Sequence, residues 1–460
     1  MNSGSPRDDP IRELISGLDE LKKEPWASVW RKQLIPYILV FDVVFIIGLI
    51  IVVVFRLVPT DYDNALYFLS AMVQAQAAVI TLIISLTLIA IQMASASYTP
   101  RVVDVMKKNP DMWYLLIIYI GAISYGFLAL KLVTGPEDQF LVSIALILGI
   151  YTFCILFLYM KYTIAMLRPD EVVRMLVKEI NVENIHQETW IKDGKDDIMQ
   201  PVFDLVNASI SRYDVTTTRT GLKALADRIL DLFPEHSADS EKNAGDITDH
   251  FCMHIQRSAM IAFRNDDEGV LEEIIEVLRE FGNHTADKGL ELATRNVAYV
   301  FGEVGTLATD KGLELATRKV ADALSEVGTH AADKGLEIAT KRVVKALGIV
   351  GIHAADKGLE IATKRVAVAL GVVGKHTAGK VLGSATEVVA VALGIVGKHA
   401  ADKGLEGARE VVTKALGNVG AHAADKGLEG ATELIADALR EVGAHDADKG
   451  LADATEGVGY

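Results

Sequence analysis

The sequence predicts an all-α membrane protein: a polytopic four-helix transmembrane domain, a cytoplasmic helical domain and an α-solenoid of 23-residue repeats. Three observations carry this. Half the residues are apolar although the net charge is −15, a conflict that resolves when the chain divides into a lipid-soluble part and a charged part. Long uncharged apolar runs crowd the first 170 residues. After them, glycine recurs every 23 residues from Gly282 to Gly443.

A bilayer core needs roughly 20 mostly apolar residues per helix. Four stretches qualify: about 34–55, 65–96, 112–133 and 140–160. The second is longer than a span requires and must tilt or project. Basic residues in short loops mark the cytoplasmic side. Arg31 and Lys32 precede the first span, Arg101, Lys107 and Lys108 follow the second, and Lys161 and Arg168 follow the fourth. The two other loops carry Asp61, Asp63, Glu137 and Asp138. The expectation is a multi-pass protein of the plasma membrane with both termini cytoplasmic. Trp26, Trp30, Trp113 and Tyr114 stand where interfacial aromatics belong. Before the first span, within segment 1–33, Asp9-Pro10 reads as a helix start. Ile11, Leu14, Ile15, Leu18 and Leu21 follow at helical spacing, which predicts a surface-lying amphipathic helix.

The second span carries the most specific signal. Ser70, Gln74, Thr81, Ser85 and Gln92 are spaced four, seven, four and seven apart, within an arc of roughly 60° on a helix. Ala77 and Leu88 complete the stripe. Amide and hydroxyl groups need polar partners inside a bilayer, so the stripe faces either neighbouring helices or water. In one reading it holds the four-helix bundle together. In the favoured one, copies of this helix line the pore of a homo-oligomeric ion channel, with Leu88 an apolar constriction that gates by dewetting. Inorganic ions are then the permeants and membrane lipids the surroundings. Asp42, a carboxylate inside the first span, is a candidate ion or proton site.

The segment Gln92 to Arg101, with its Tyr98-Thr99-Pro100-Arg101 step, resembles a prokaryotic family of uncharacterised predicted four-span membrane proteins. The run Pro201-Val-Phe-Asp-Leu-Val-Asn-Ala-Ser-Ile210, then Asp214 and Gly221-Leu-Lys-Ala-Leu225, extends the resemblance over about residues 35–280. It implies a membrane protein and brings no catalytic residues.

Residues 166–266 read as cytoplasmic helices. His250 and His254 share a helical face with Asp249 beside them, two-thirds of a metal site by spacing; lacking an evident third ligand, they read as a structural or surface pair. From 267 to 460 the period dominates. A second series, Asp-Lys-Gly-Leu, begins at Asp287, Asp310, Asp333, Asp356, Asp402, Asp425 and Asp448, with Gly379-Lys-Val-Leu382 its degenerate member. Such a period means stacked units that bury one another's apolar stripe. The expectation is one helix of about 18 residues per unit, turned at the Gly-x-His segment, with two short helices as the alternative. Two units resemble a HEAT-type repeat in size. The repeated His284, His330, His353, His376, His399, His422 and His445 are read as turn residues bonding local backbone.

Two cysteines, Cys154 and Cys252, make no disulfide framework. An acidic total gives no support for nucleic-acid binding. No nucleophile–base pattern, phosphate loop or dinucleotide fingerprint is present, so no enzyme activity, catalytic residue, cofactor or metal is expected. The alternative function is a non-conducting membrane anchor whose repeat scaffold binds a protein partner.

The orientation is testable. With Cys154 and Cys252 replaced, cysteines at Asn64 and Glu137 should react with an impermeant thiol reagent from outside intact cells, and one at Lys107 should not. The reverse pattern overturns the charge argument.

Overall fold

The computed structural model describes residues 43–50 apart from 45 and 49, then 62–97, 110–134, 139–166, 168–180, 197–233 and 238–456. The chain divides into two compact units, Met1–Arg168 and Pro169–Tyr460. Among the described residues every regular element is a helix.

The first unit contains α1 (Tyr62–Ser97), α2 (Pro110–Leu132) and α3 (Gln139–Met166). Each is long and apolar enough to cross a membrane, and they fall where the second, third and fourth spans are expected. The first expected span and Asp42 lie largely outside the described residues, as do the amphipathic segment and most loop charges used for orientation. Each pair of the three helices is in contact. One cluster buries Ile83, Leu115, Tyr119, Tyr151, Ile155 and Tyr159; a second buries Ala65, Leu69, Ala129, Val133, Val142 and Ala145. Large apolar side chains such as Ile117, Phe127 and Phe157 are exposed on the outside, the surface a hydrocarbon layer accepts without cost.

The second unit opens with α4 (Pro169–Glu179), α5 (Gln200–Ser211), α6 (Val215–Leu232), α7 (Ala238–Arg264) and α8 (Glu268–Asp287). Then come α9 (Glu291–Asp310), α10 (Glu314–Asp333), α11 (Glu337–Asp356), α12 (Glu360–Gly379), α13 (Gly383–Asp402), α14 (Glu406–Asp425) and α15 (Glu429–Glu456). Each full repeat is thus a single helix of 20 residues, which removes the two-helix alternative.

The turn is not where the sequence reading placed it. Gly-x-His lies inside each helix, and the chain reverses at Lys-Gly-Leu. Gly289, Gly312, Gly335, Gly358, Gly404 and Gly427 all have positive φ, between 69° and 74°. The cap is a Schellman motif: Leu290 N–H donates to Thr285 O at 2.9 Å and Gly289 N–H to Ala286 O at 2.9 Å. In the degenerate unit Val381 occupies the same place at φ 59°, a conformation unfavourable for a β-branched residue.

The helical glycines serve a different purpose. Each helix packs chiefly on the second helix after it, so odd and even helices form two layers. A Cβ at Gly351 would lie 2.8 Å from Val366 Cγ1 on α12 and 2.8 Å from Val396 Cγ2 on α13. Gly305, Gly328, Gly374 and Gly397 meet the equivalent valines just as closely. Glycine stands here despite its low helix propensity, because valine methyl groups of two neighbouring helices fill the space a Cβ would take. The same second-neighbour pairing joins α5 to α7, α6 to α8 and α7 to α9. The two-layer stack therefore begins before the 23-residue period does.

Polar groups follow this register. Glu291 Oε1 accepts from Ile338 N–H at 2.7 Å and Glu314 Oε1 from Ile361 N–H at 3.1 Å. One helix's first carboxylate thereby caps the second helix after it, replacing the absent side-chain cap at Leu336 and Leu359. Arg279 bonds Glu326 at 2.7 Å, and Arg365 pairs with Asp322. His330 and His399 reach Asp287 and Asp356 at 2.9 Å, and His376 reaches Asp333 at 3.2 Å. These histidines are inter-repeat partners. His284 and His422 instead bond the backbone of their own helix, at Glu280 O and Asn418 O. The bond from His399 is the main cause that holds the Asp356 carboxyl below the usual range. Exposed pairs of this kind contribute little stability; the buried Val, Leu and Ala rows supply most of it.

Three substitutions should separate these roles. Val381→Gly should raise the thermal midpoint of the full chain, relieving about 1 kcal/mol of left-handed strain. Gly417→Ala, where an added Cβ meets nothing within 4 Å, should also stabilise. Gly351→Ala should lower the midpoint, because overpacking costs about 1–3 kcal/mol. Circular dichroism on heating checks the order.

Candidate functional site

Two places in the described structure gather polar chemistry beyond what packing requires. The first is the stripe on α1. Gln74, Ala77, Thr81, Ser85, Leu88 and Gln92 are exposed, and Ser70 is half-buried. Leu88, the expected constriction, is 56% exposed. The stripe therefore points away from α2 and α3 along the length of the helix. Among the described residues, the stripe is therefore not what joins α1 to α2 and α3.

That task falls to Gln76 and Thr87, on another side of α1. Gln76 is buried and donates from Nε2 to Thr152 Oγ1 at 3.4 Å. Thr87 Oγ1 and Tyr159 Oη lie 2.7 Å apart. Tyr119 Oη, also buried, donates to Thr152 O at 3.1 Å. The polar residues of α1 thus sort by face, one pair turned inward to α3 and a row of five turned outward.

Within the row, Thr81 Oγ1 donates to Ala77 O and Ser85 Oγ to Thr81 O, both at 2.9 Å. These hydroxyls satisfy themselves on their own helix. Gln74 Nε2 reaches Ser70 Oγ at 3.3 Å, which uses one of the donors that an amide carries. Gln74 and Gln92 are therefore the members for which hydrocarbon is the poorest surroundings.

The second place is in the 169–460 unit. His250 and His254, one turn apart on α7, both meet Asp197 just before α5. Asp197 Oδ1 is 3.0 Å from His250 Nε2, and Oδ2 is 2.7 Å from His254 Nε2. This corrects the expectation of a pair without a third ligand. Asp197 lies 53 residues before His250, in a stretch with no motif around it, and only the fold brings it in. Asp197 and His254 are buried and His250 nearly so. Burial alone would raise the Asp197 carboxyl, but hydrogen bonds and attraction from His250 and His254 hold it far below the usual range. The Phe203 ring stacks on His254 at 4.5 Å and 12°.

The segment that carries the family resemblance builds this neighbourhood. Asp214 caps α6, accepting from Thr217 N–H at 3.0 Å. Gly221 lets α6 approach α5, where a Cβ would lie 2.7 Å from Val206 Cγ2. Asn207 accepts from Ser258 on α7 at 2.7 Å. Cys252 is fully buried and its thiol is pushed well up by that burial, so it is not a reactive residue.

A shallow basic cavity of about 500 Å³ lies between α9 and α11, lined by Arg295, Lys341, Arg342 and Lys345 with Asp249 from α7. Arg342 stacks over the Tyr299 ring at 4.7 Å.

Residues 28–221 match the model of a family described as "Predicted membrane protein (DUF2254)", in line with the resemblance seen in the sequence. The repeat array lies beyond the match. No curated protein matches the chain. Among solved structures, a "DHF46 filament" is similar at 14% identity and a TM-score of 0.32, over 39% of this chain and 99% of that one. A "Circular tandem repeat protein with novel repeat topology and enhanced subunit contact surfaces" is similar at 13% identity and a TM-score of 0.33, over 86% and 99%.

The division of labour on α1 predicts unequal mutants. Thr87→Val and Gln76→Leu should each cost the bundle about 1 kcal/mol of buried hydrogen bonding. Ser85→Ala should stay within a few tenths. Equilibrium unfolding in mixed detergent micelles measures the difference.

Proposed function

We propose that this chain, which matches that predicted membrane protein family over residues 28–221, is the subunit of a homo-oligomeric ion channel whose α1 helices line the pore. One observation carries the reading: Ser70, Gln74, Thr81, Ser85 and Gln92 lie on a different face of α1 from Gln76 and Thr87, which meet α3. Polar side chains set against lipid along a whole span are costly. Around a shared axis the same side chains meet water or each other. Their four-and-seven spacing is the spacing that repeats along a helix facing identical copies. Leu88 then narrows the path, and the repeat domain serves gating or assembly on the cytoplasmic side. Asp42 keeps its role as a candidate ion or proton site in the first span.

A second reading is the non-conducting anchor, and two observations favour it. Thr81 and Ser85 are satisfied by their own helix carbonyls, which lowers the cost of facing lipid. On the repeat array, Ile349 and Ile395 are exposed at the same position of α11 and α13, two helices of one layer, an apolar pair that suits a protein partner.

Reconstituted protein distinguishes the two. Leu88→Ser should raise basal ion flux through proteoliposomes, because a hydroxyl eases wetting of the constriction. Thr81→Lys should suppress cation flux. In a cysteine-free background, cysteines at Gln74, Thr81 and Ser85 should react with small hydrophilic thiol reagents, and cysteines at Leu82 and Leu86 should not. No flux in any variant, together with protection at every stripe position, would replace the channel with the anchor.

A further inference from the structure

We propose that Asp197, His250 and His254 bind one divalent first-row transition-metal cation of the zinc class. The inference is independent of the channel reading and rests on the 169–460 unit alone.

The donor atoms are close together. One ligand atom from each of the three residues lies within 4.8 Å of the other two, and each imidazole faces a different oxygen of Asp197. Two histidines one helical turn apart with a carboxylate from another element are the donor set of catalytic-type zinc sites, which keep a further position open. Nitrogen and carboxylate oxygen together suit zinc-class ions better than magnesium or calcium, which prefer all-oxygen shells.

The spacing also fits. Bonds of about 2.0–2.2 Å to a tetrahedral ion set neighbouring donors roughly 3.3 Å apart. The present separations, 3.0 Å to Oδ1 and 2.7 Å to Oδ2, would open by about 0.3 and about 0.6 Å to reach this. As found, His254 Nε2 is hydrogen-bonded to Asp197 Oδ2, and His250 Nε2 lies 3.0 Å from Oδ1. A cation takes the Nε2 lone pairs instead, with the imidazole proton moved to Nδ1.

Burial argues in the same direction. Asp197 and His254 side chains are only 6% and 2% exposed, and a buried carboxylate calls for a compensating positive charge. Among the described residues its ion partners are the two histidines. His250, at 12%, is the most open of the three and gives an ion its route in. The Phe203 ring against His254 and the Met199 N–H bond to Asp197 Oδ1 at 2.9 Å fix the donors before any ion arrives. A bound ion would tie the start of α5 to the middle of α7, where the family-matched segment passes into the repeat stack.

The test uses the full chain in detergent, stripped by chelator and titrated with cobalt chloride. The expected result is a visible ligand-field absorption saturating at one cobalt per chain and abolished by equimolar zinc. Asp197→Asn and His254→Gln should bind at least about tenfold more weakly, whereas His330→Gln and His376→Gln, on the exposed ladder, should bind as wild type. Absence of the cobalt spectrum in wild type, or its survival in both site variants, overturns the proposal. If a site variant unfolds by circular dichroism, X-ray absorption of the wild-type zinc complex decides. A shell of two imidazoles and light-atom oxygen supports the site, and one of oxygen alone overturns it.

Discussion

Each face of a helix has to match what lies against it, and this one constraint organises both units. In the repeat array an interior helix meets one neighbour on either side in its own layer and two in the other layer. Its inner face is accordingly Val, Leu and Ala, with glycine where a neighbour's valine packs against the backbone, and its outer face is mostly polar. In the membrane unit the sign reverses, since the outer surface meets hydrocarbon. Ile117, Phe127 and Phe157 obey that reversal. The polar stripe on α1 does not, and the functional reading grows from that exception.

The two-layer stack shows how a repeat turns local rules into long-range order. The backbone reverses wherever Lys-Gly-Leu recurs, because glycine accepts positive φ and the Schellman bonds close the helix end. Once the reversal is fixed, second-neighbour helices fall into register. A carboxylate on one can then cap the next but one. The histidine–aspartate ladder follows from the same geometry, since both residues stand at helix ends that the register brings together. Its individual links are weakly stabilising, and they act chiefly to favour one register over a slipped one.

Much of this was legible in the residues. Apolar runs placed α1, α2 and α3 to within a few residues, and the 23-residue period gave one helix per unit. The turn was misplaced because two glycine series share the period, and only backbone conformation tells a glycine that permits positive φ from one that permits close approach. The histidines were read locally because their partners lie 43 residues away, a separation that has no meaning until the layers are known. Asp197 was invisible for the same reason. The sorting of α1 was half legible: the angular arc set Gln76 and Thr87 apart from the stripe, but which side faced α3 required Thr152 and Tyr159.

The central claim is that the outward polar face of α1 meets copies of itself. Electron microscopy of the full chain in lipid nanodiscs tests it most directly. The account predicts a closed ring of subunits with residues 62–97 nearest the axis and a continuous path between them. A single subunit per disc, with Gln74 and Gln92 turned to lipid, would contradict it.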